Sequence, residues 1–501
     1  MSEVFHAKTK LIDIQDGEEL IVVLNQQEAR EYGINAMDKV SIFYKGEEIV
    51  LNVDLTNNLV KPGQVGFFKD VYKKYKIGDN HIVGISFTKN SSLSLDSLKK
   101  ALQGIKLNYK EILAIMKDIS TNRFTETLTT YFSSIGFFYK STDEEMYMMA
   151  KAMAETGEML KFKGIVADKH CMGGIPGNET TMIMIPLLAS LGIKMPKTFS
   201  KSITTPAATG ECVNVLMNIS FSKKEIENLV KKENCCLVRG GGLDLAPADE
   251  QLIKVAYPLS MQSYSRTVIS IMAKKYAMGI NHSLVDIPIG PTAKVPDMKT
   301  ANWLKKKYEY VGRRLGMKVH VEITKANQPI GAGVGPALQV REVLRVLQQH
   351  ELRPIDLQNK AVYLCAKVIE LIGMAKGKKA YELAYQQLKS GKAWKKMQQI
   401  IKAQGGKNPN IKSEELKLGK YKKEVKAEKD GKITAINLHL INSTTRTLGS
   451  PIDEQAGLYL HKKIGDKVKK TDIIYVMYAN EEDKIKMALD NLKGKKMYEI
   501  K

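Results

Sequence analysis

At 501 residues, 44% of them hydrophobic and 26% charged, the chain is too long for one small domain and too apolar to be disordered or fibrous. Its longest apolar stretch, Met182 to Ile193, holds about a dozen residues, short of the roughly 20 that a spanning helix needs. Lys and Arg total 77 against 54 acidic residues, a net +23, but they are spread along the chain with few aromatics, which favours an anionic small substrate over bound nucleic acid.

The opening MSEVFHAKTK lacks the basic-then-apolar layout of a secretory leader, so a cytoplasmic protein is expected. Glu19–Leu24, Val40–Tyr44, Glu48–Val53 and His81–Phe87 are β-branched runs separated by Gly, Asn and Asp turns, predicting a small barrel-like β domain over residues 1–90. After the polar linker Ser91 to Ser94, helical periodicity takes over within residues 97–163, clearest in Tyr109–Ile119 and Asp143–Lys161. Thr142-Asp143-Glu144-Glu145 reads as a capping box opening the second of these helices.

Gly164-Ile165-Val166-Ala167 is a short buried-strand run, followed by a glycine-rich turn and the apolar helix Met182–Leu191. Strands and helices then alternate to about residue 345, with Ser283–Ile289 and Val319–Thr324 as strands and Ser222 to Glu225 as a second capping box. This rhythm predicts an α/β domain with a mixed, largely parallel sheet over residues 164–410. Residues 355–405 return to helix, Lys407 to Lys420 reads as a hinge, and 421–501 form a small β-rich α+β domain. Cys171, Cys212, Cys235, Cys236 and Cys365 are odd in number, scattered and without a CxxC, so they read as reduced thiols and not as a disulfide framework or zinc site. Met146, Met149, Met182 and Met184 read as core, and His282 and His320 as structural, since neither histidine has a partner at ligand spacing.

Four clusters can carry chemistry. Asp168 to Thr181, DKHCMGGIPGNETT, lies between a predicted strand and a predicted helix. Its glycines bring backbone N–H groups close to a ligand, the helix N-terminus adds about half a positive charge, Lys169 adds a full one, and Thr180 and Thr181 offer hydroxyls. That is the anatomy of a phosphate cradle, although it matches neither common glycine-rich phosphate motif. Ser200, Lys201, Ser202, Ile203, Thr204, Thr205 and Thr209 form a hydroxyl-rich loop ahead of a helix, read either as a second oxyanion site or as a plain N-cap region. Ser270 and Lys274 are four apart and share a helix face. Lys294 follows the strand-and-turn DIPIGPT, at the kind of strand C-terminus where parallel sheets bind ligands.

In this order and spacing, the clusters resemble the pyrimidine-nucleoside phosphorylase superfamily, and within it the AMP phosphorylases and archaeal-type thymidine phosphorylases. The resemblance runs over nearly the whole chain, through KHCMGGIPGNETT, SKSITTPAATG, LAPAD at Leu245–Asp249, ISIMAKK, DIPIGPTAK and NQPIGAGVGPAL at Asn327–Leu338. It implies phosphorolysis: phosphate attacks the anomeric carbon of a nucleoside monophosphate or nucleoside, releasing base and a sugar 1-phosphate. For an AMP phosphorylase the products are adenine and ribose 1,5-bisphosphate, in nucleotide salvage. It also implies a separate small helical domain with a second piece near 245–280, an active-site cleft that closes by domain rotation, and a homo-oligomer, dimer or larger. No metal or cofactor is implied, phosphate being a co-substrate.

By matching positions, Gly174, Ser200 to Thr205, Thr209, Ser270 and Lys294 would contact the nucleotide, and Lys169, Thr181 and Ser200 would lie near the attacking phosphate. Three departures stand out. The proton-donor aspartate of the relatives' PLSxD segment is Gln262, an amide that cannot act as an acid. Loss of a positioned general acid typically costs about 10²–10⁴ in rate. Glu179 replaces a residue often basic in relatives, and Glu211 replaces an Asp. Three readings of Gln262 stay open: the acid has moved, to His170 with its usual pKa of about 6.5; Gln262 recognises a different base, such as a pyrimidine; or the chain is an impaired paralogue that binds nucleotides or nucleic acid.

Overall fold

The computed structural model describes residues 4–16, 19–138, 141–199, 205–240, 243–256, 263–290 and 293–501. Two compact units emerge: Met1–Gly157 with Ala246–Ser270, and Glu158–Leu245 with Ile271–Lys501.

The first unit opens with a closed six-stranded barrel: β1 (Phe5–Ile12), β2 (Ile21–Asn25), β3 (Lys39–Tyr44), β4 (Glu47–Thr56), β5 (Gln64–Phe68) and β6 (Ile82–Phe87), in the order β1-β5-β2-β4-β3-β6. Closure removes the unpaired edges that an open sheet would expose. Val22, Leu24, Val40, Ile42, Leu51, Val65, Phe67 and Ile85 fill the interior. Two of these strands, β1 and β5, carry no signal in the sequence reading. In β1 the reason is visible, because Lys8 and Lys10 occupy outward positions while Ala7 and Thr9 point inward. Helices follow at Ser92–Leu102, Tyr109–Ser120, Glu126–Phe138 and Asp143–Glu155. The capping box at Thr142 is formed, with the Glu145 amide donating to the Thr142 hydroxyl at 3.2 Å. Its helix stops at Glu155, short of the expected Lys161: beyond it the Glu158 amide bonds the Asp244 carbonyl and the Leu160 amide the Ala277 carbonyl, so the chain is drawn into the second unit.

That second unit is built on parallel strands: β7 (Ala167–Cys171), β8 (Met195–Phe199), β9 (Cys235–Arg239), β10 (His282–Ile289) and β11 (Lys318–Lys325). They pair as β11-β10-β7 and β8-β9, joined by a parallel bridge between Val166 and Lys194. The strand expected at 164–167 thus begins at Ala167, which places Asp168, Lys169 and His170 inside the sheet and not in the turn after it. The helix Thr180–Ser190 is buried from Thr180 to Ala189, against Lys392–Ala403 and Ile355–Leu371. The Lys407–Lys420 stretch is docked instead of hinge-like: Arg345 holds Glu414 through two bonds of 2.7 and 3.1 Å, and Gln348 bonds the Ile411 carbonyl and the Ser413 amide. The C-terminal part sets a four-stranded sheet, Gly333–Val334, Gly457–Leu460, Ile473–Ala479 and Tyr421–Lys426, beside a small one of Lys467–Val468, Gly431–Ile436 and Tyr498–Ile500. No described helix is long and apolar enough to cross a membrane.

Candidate active site

The C-terminal end of β7 lies beside the middle of β10, where Cys171 pairs with Asp286, and β10 runs on for three more residues to Ile289. The chain leaving β7 turns through Gly173, Gly174 and Gly177, with φ of 81°, 90° and 75°, a left-handed backbone that a side chain would strain. At Gly177 the need is also steric, since a Cβ would sit 2.3 Å from the Ile330 carbonyl oxygen. The segment Asn327–Leu338 thereby backs the loop, and the Ile330 amide bonds the Pro176 carbonyl at 3.1 Å. On the other side, Lys294 packs over the glycines: a Cβ at Gly174 would lie 3.2 Å from its Cγ, and one at Gly173 3.8 Å from its Nζ. Burial lowers the Lys294 pKa.

Strand alternation sorts the charges. Lys169, only 1% exposed, points towards the helix Thr180–Ser190 and donates from Nζ to Thr180 Oγ1 at 2.9 Å. Asp168 and His170 share the opposite face. Asp168 is ion-paired with Lys197 at 3.3 Å and with Lys275, and Lys197 also donates to the Lys169 carbonyl at 2.7 Å. Burial is the main cause that lowers Lys197 to about 7, with Asp168 opposing the shift.

His170 lies among Lys275, Lys197, Lys169 and Lys274. Burial first, and then these cations, hold its pKa well below the usual histidine value. This lowering disfavours the imidazolium form that a proton-donating role for His170 would need. Cys171 Sγ accepts from the Gly173 amide and the Asn178 side chain, each at 3.4 Å, and burial raises its thiol pKa.

Thr181 is buried one residue into the helix, and Glu179, also buried, sits at its N-cap. The Glu179 carboxylate accepts from Thr209 Oγ1 and Gln339 Nε2, both at 3.1 Å. Thr209 opens the helix Thr209–Leu216, and Thr205 Oγ1 donates to the Ala207 carbonyl at 2.9 Å. In the first unit, Ser270 Oγ donates to Asp249 Oδ2 at 2.7 Å. Lys274 lies one turn further along the same helix, Tyr264–Ala277. Gln262, Ser200, Lys201, Ser202, Ile203 and Thr204 lie outside the described residues.

The sequence reading named no role for Asp168, Lys197, Lys275, Gln339 or Asp249. Lys197 carried a usable signal, a lysine inside the strand MPKTF; Asp249 had one in the LAPAD block. The others depend on partners far along the chain.

Residues 432–500 match the family model for the pyrimidine nucleoside phosphorylase C-terminal domain. The chain is 37% identical to the AMP phosphorylase of Methanosarcina acetivorans over 470 residues, 93% of this chain and 92% of that protein. It is 35% identical to the AMP phosphorylase of Methanocaldococcus jannaschii, covering 96% and 95% of the two chains, and 37% identical to that of Pyrococcus furiosus, again covering 96% and 95%. Among solved structures, anthranilate phosphoribosyltransferase from Thermus thermophilus shares the fold, with a TM-score of 0.53 at 15% identity over 62% of this chain and 99% of that one.

Proposed function

The chain belongs to the AMP phosphorylase family, and we propose that it cleaves AMP with inorganic phosphate to give adenine and ribose 1,5-bisphosphate. The bond from the anomeric carbon to the base breaks, a bond from that carbon to a phosphate oxygen forms, and the base leaves with the electron pair and a proton. One observation carries the site assignment: the buried ammonium group of Lys169 is held against Thr180 at the start of a buried helix, beside three glycines with positive φ. Helix amides and an ammonium group at one point favour a dianion there. A dianion so held lies ready to partner the positive charge that develops on the ribosyl carbon.

Lys294, packed over the glycine loop, and Lys274 supply further positive charge for a nucleotide. A neutral His170 serves as a hydrogen-bonding group and not as the acid, which leaves the Gln262 departure uncompensated by an imidazolium. Turnover is accordingly slow, and Gln262→Asp raises it at least tenfold. In this reading the enzyme works in the cytoplasm as a homo-oligomer in nucleotide salvage.

The test is base release from AMP, CMP, UMP and thymidine with and without phosphate. Phosphate-dependent release of adenine from AMP is expected. Release from thymidine alone would make the chain a nucleoside phosphorylase, and no release by either wild type or Gln262→Asp would refute catalysis.

A further inference from the structure

Glu179 puts a carboxylate at the mouth of an anion cradle, where it would repel the ligand. It is 3% exposed, and its hydrogen bonds come from neutral groups, the Thr209 hydroxyl, the Gln339 amide and the Cys212 thiol. The groups facing it are Lys169 from β7, Thr209, Glu211 and Cys212 from the helix Thr209–Leu216, and Gln339 from the helix Pro336–Leu347. The ammonium of Lys169 is directed to Thr180, and Glu211 adds a second negative charge.

Thr209 has a single hydroxyl proton. Donated to the Glu179 carboxylate, as the 3.1 Å contact shows, it is withheld from a substrate oxygen. We propose that Glu179 is a proton-coupled positioning residue: when an anion enters the cradle, Glu179 takes up one proton, becomes the donor to Thr209 Oγ1, and releases the threonine hydroxyl to the anion. The proton comes from solvent, and the Thr209 proton only changes its acceptor. This rests on the proposed cradle and on Thr209, a nucleotide contact by resemblance, facing the same anion through its bond to Glu179 at the helix start.

Two physical facts make the exchange accessible. A carboxylate and a dianion in one buried site repel each other strongly, so binding favours the neutral acid. Burial, opposed by the Thr209 bond and by Lys169, raises the Glu179 carboxyl to about 7, so the proton is available near neutrality. Anion affinity must then fall as pH rises through 7.

Phosphate titrates in this range, so sulfate, whose charge is constant, is the probe. Calorimetric titration of the full chain with sulfate, in two buffers of different ionisation enthalpy, gives affinity and proton uptake together. Between pH 6 and pH 8 wild-type affinity should fall about tenfold more than that of E179Q, with about half a proton more taken up at pH 7 and nearly one by pH 8. Lys197 and His170 contribute alike to both proteins, so the difference reports Glu179. In turnover, the KM for phosphate of E179Q should lose the same pH dependence while kcat at saturating phosphate changes little. Glu179→Ala, the second variant should E179Q fail to fold, should give the same flat profile with weaker binding.

Equal slopes and equal proton uptake in wild type and variants would overturn the proposal. Sulfate binding together with adenine release, but no such difference, discards Glu179 alone. Absence of both discards the anion site itself.

Discussion

Strands β1 and β7 both carry lysines, and they treat them in opposite ways. In the barrel strand, Lys8 and Lys10 point to solvent and cost the fold almost nothing. In the sheet strand, Asp168 and Lys169 are each 1% exposed and are held by Lys197, Lys275 and Thr180. A buried charge survives only with partners at close range, and removing one partner leaves the other stranded. Strand β1 therefore tolerates change at its lysines, unlike β3, whose Lys39 donates to the Asn122 and Phe124 carbonyls and to Asn122 Oδ1. In β7 of the second unit, by contrast, Asp168 and Lys169 are buried just ahead of the glycine turn Gly173, Gly174 and Gly177.

The largest expected effect tests that contrast directly. Lys275→Met removes one of the two ammonium groups on Asp168 and should lower stability by about 3–5 kcal/mol in urea unfolding. A loss under about 1 kcal/mol would mean that the buried charges are not coupled. Next comes the pH dependence set by Glu179. Its folded pKa, about 7, lies above its ordinary 4.5, so the folded state binds more protons between these values. Stability contributed by the protonated group is fully present below pH 4.5 and is lost as pH rises to 7. Relative to Glu179→Gln, wild type should thus lose about 3 kcal/mol across that window, read from thermal melts at several pH values.

A smaller effect is expected in the first unit. Ser270→Ala takes a hydroxyl donor from the buried Asp249 and should cost about 1–3 kcal/mol, with a raised KM for the nucleotide that Ser270→Thr restores. Smallest of all is Lys8→Ala on the barrel, expected within about 0.5 kcal/mol of wild type. A Lys8 effect as large as that of Lys275 would erase the distinction between the two strands.

The same contrast explains what the sequence made legible. Strands β2, β3, β4 and β6 announce themselves through β-branched runs, and the helix starts at Thr142 and Ser222 through the local chemistry of their capping boxes. β1 escaped notice because its outward lysines mask the inward Ala7 and Thr9. β7 begins three residues later than the expected strand, because Asp168 and Lys169 are charged and local patterning reads charge as exposure. The glycine loop could be found because three glycines between a strand and a helix are a short-range signal. Its counter-charges could not: Lys197 and Lys275 lie far along the chain from Asp168, and only the folded sheet brings them to it. The setting of His170 was hidden for the same reason: its burial, and then the cations from β7, β8 and the helix Tyr264–Ala277 that add to the lowering of its pKa, exist only in the folded chain.

The central claim is that Lys169 and the start of the helix Thr180–Ser190 hold the attacking phosphate. It is tested most directly by adenine release from AMP as a function of phosphate concentration, in wild type and in Lys169→Met. Wild type should show a saturable dependence on phosphate, and the variant should lose most of its kcat/KM for phosphate while its KM for AMP changes little. Adenine release that ignores phosphate, or a variant as efficient as wild type, would contradict the claim.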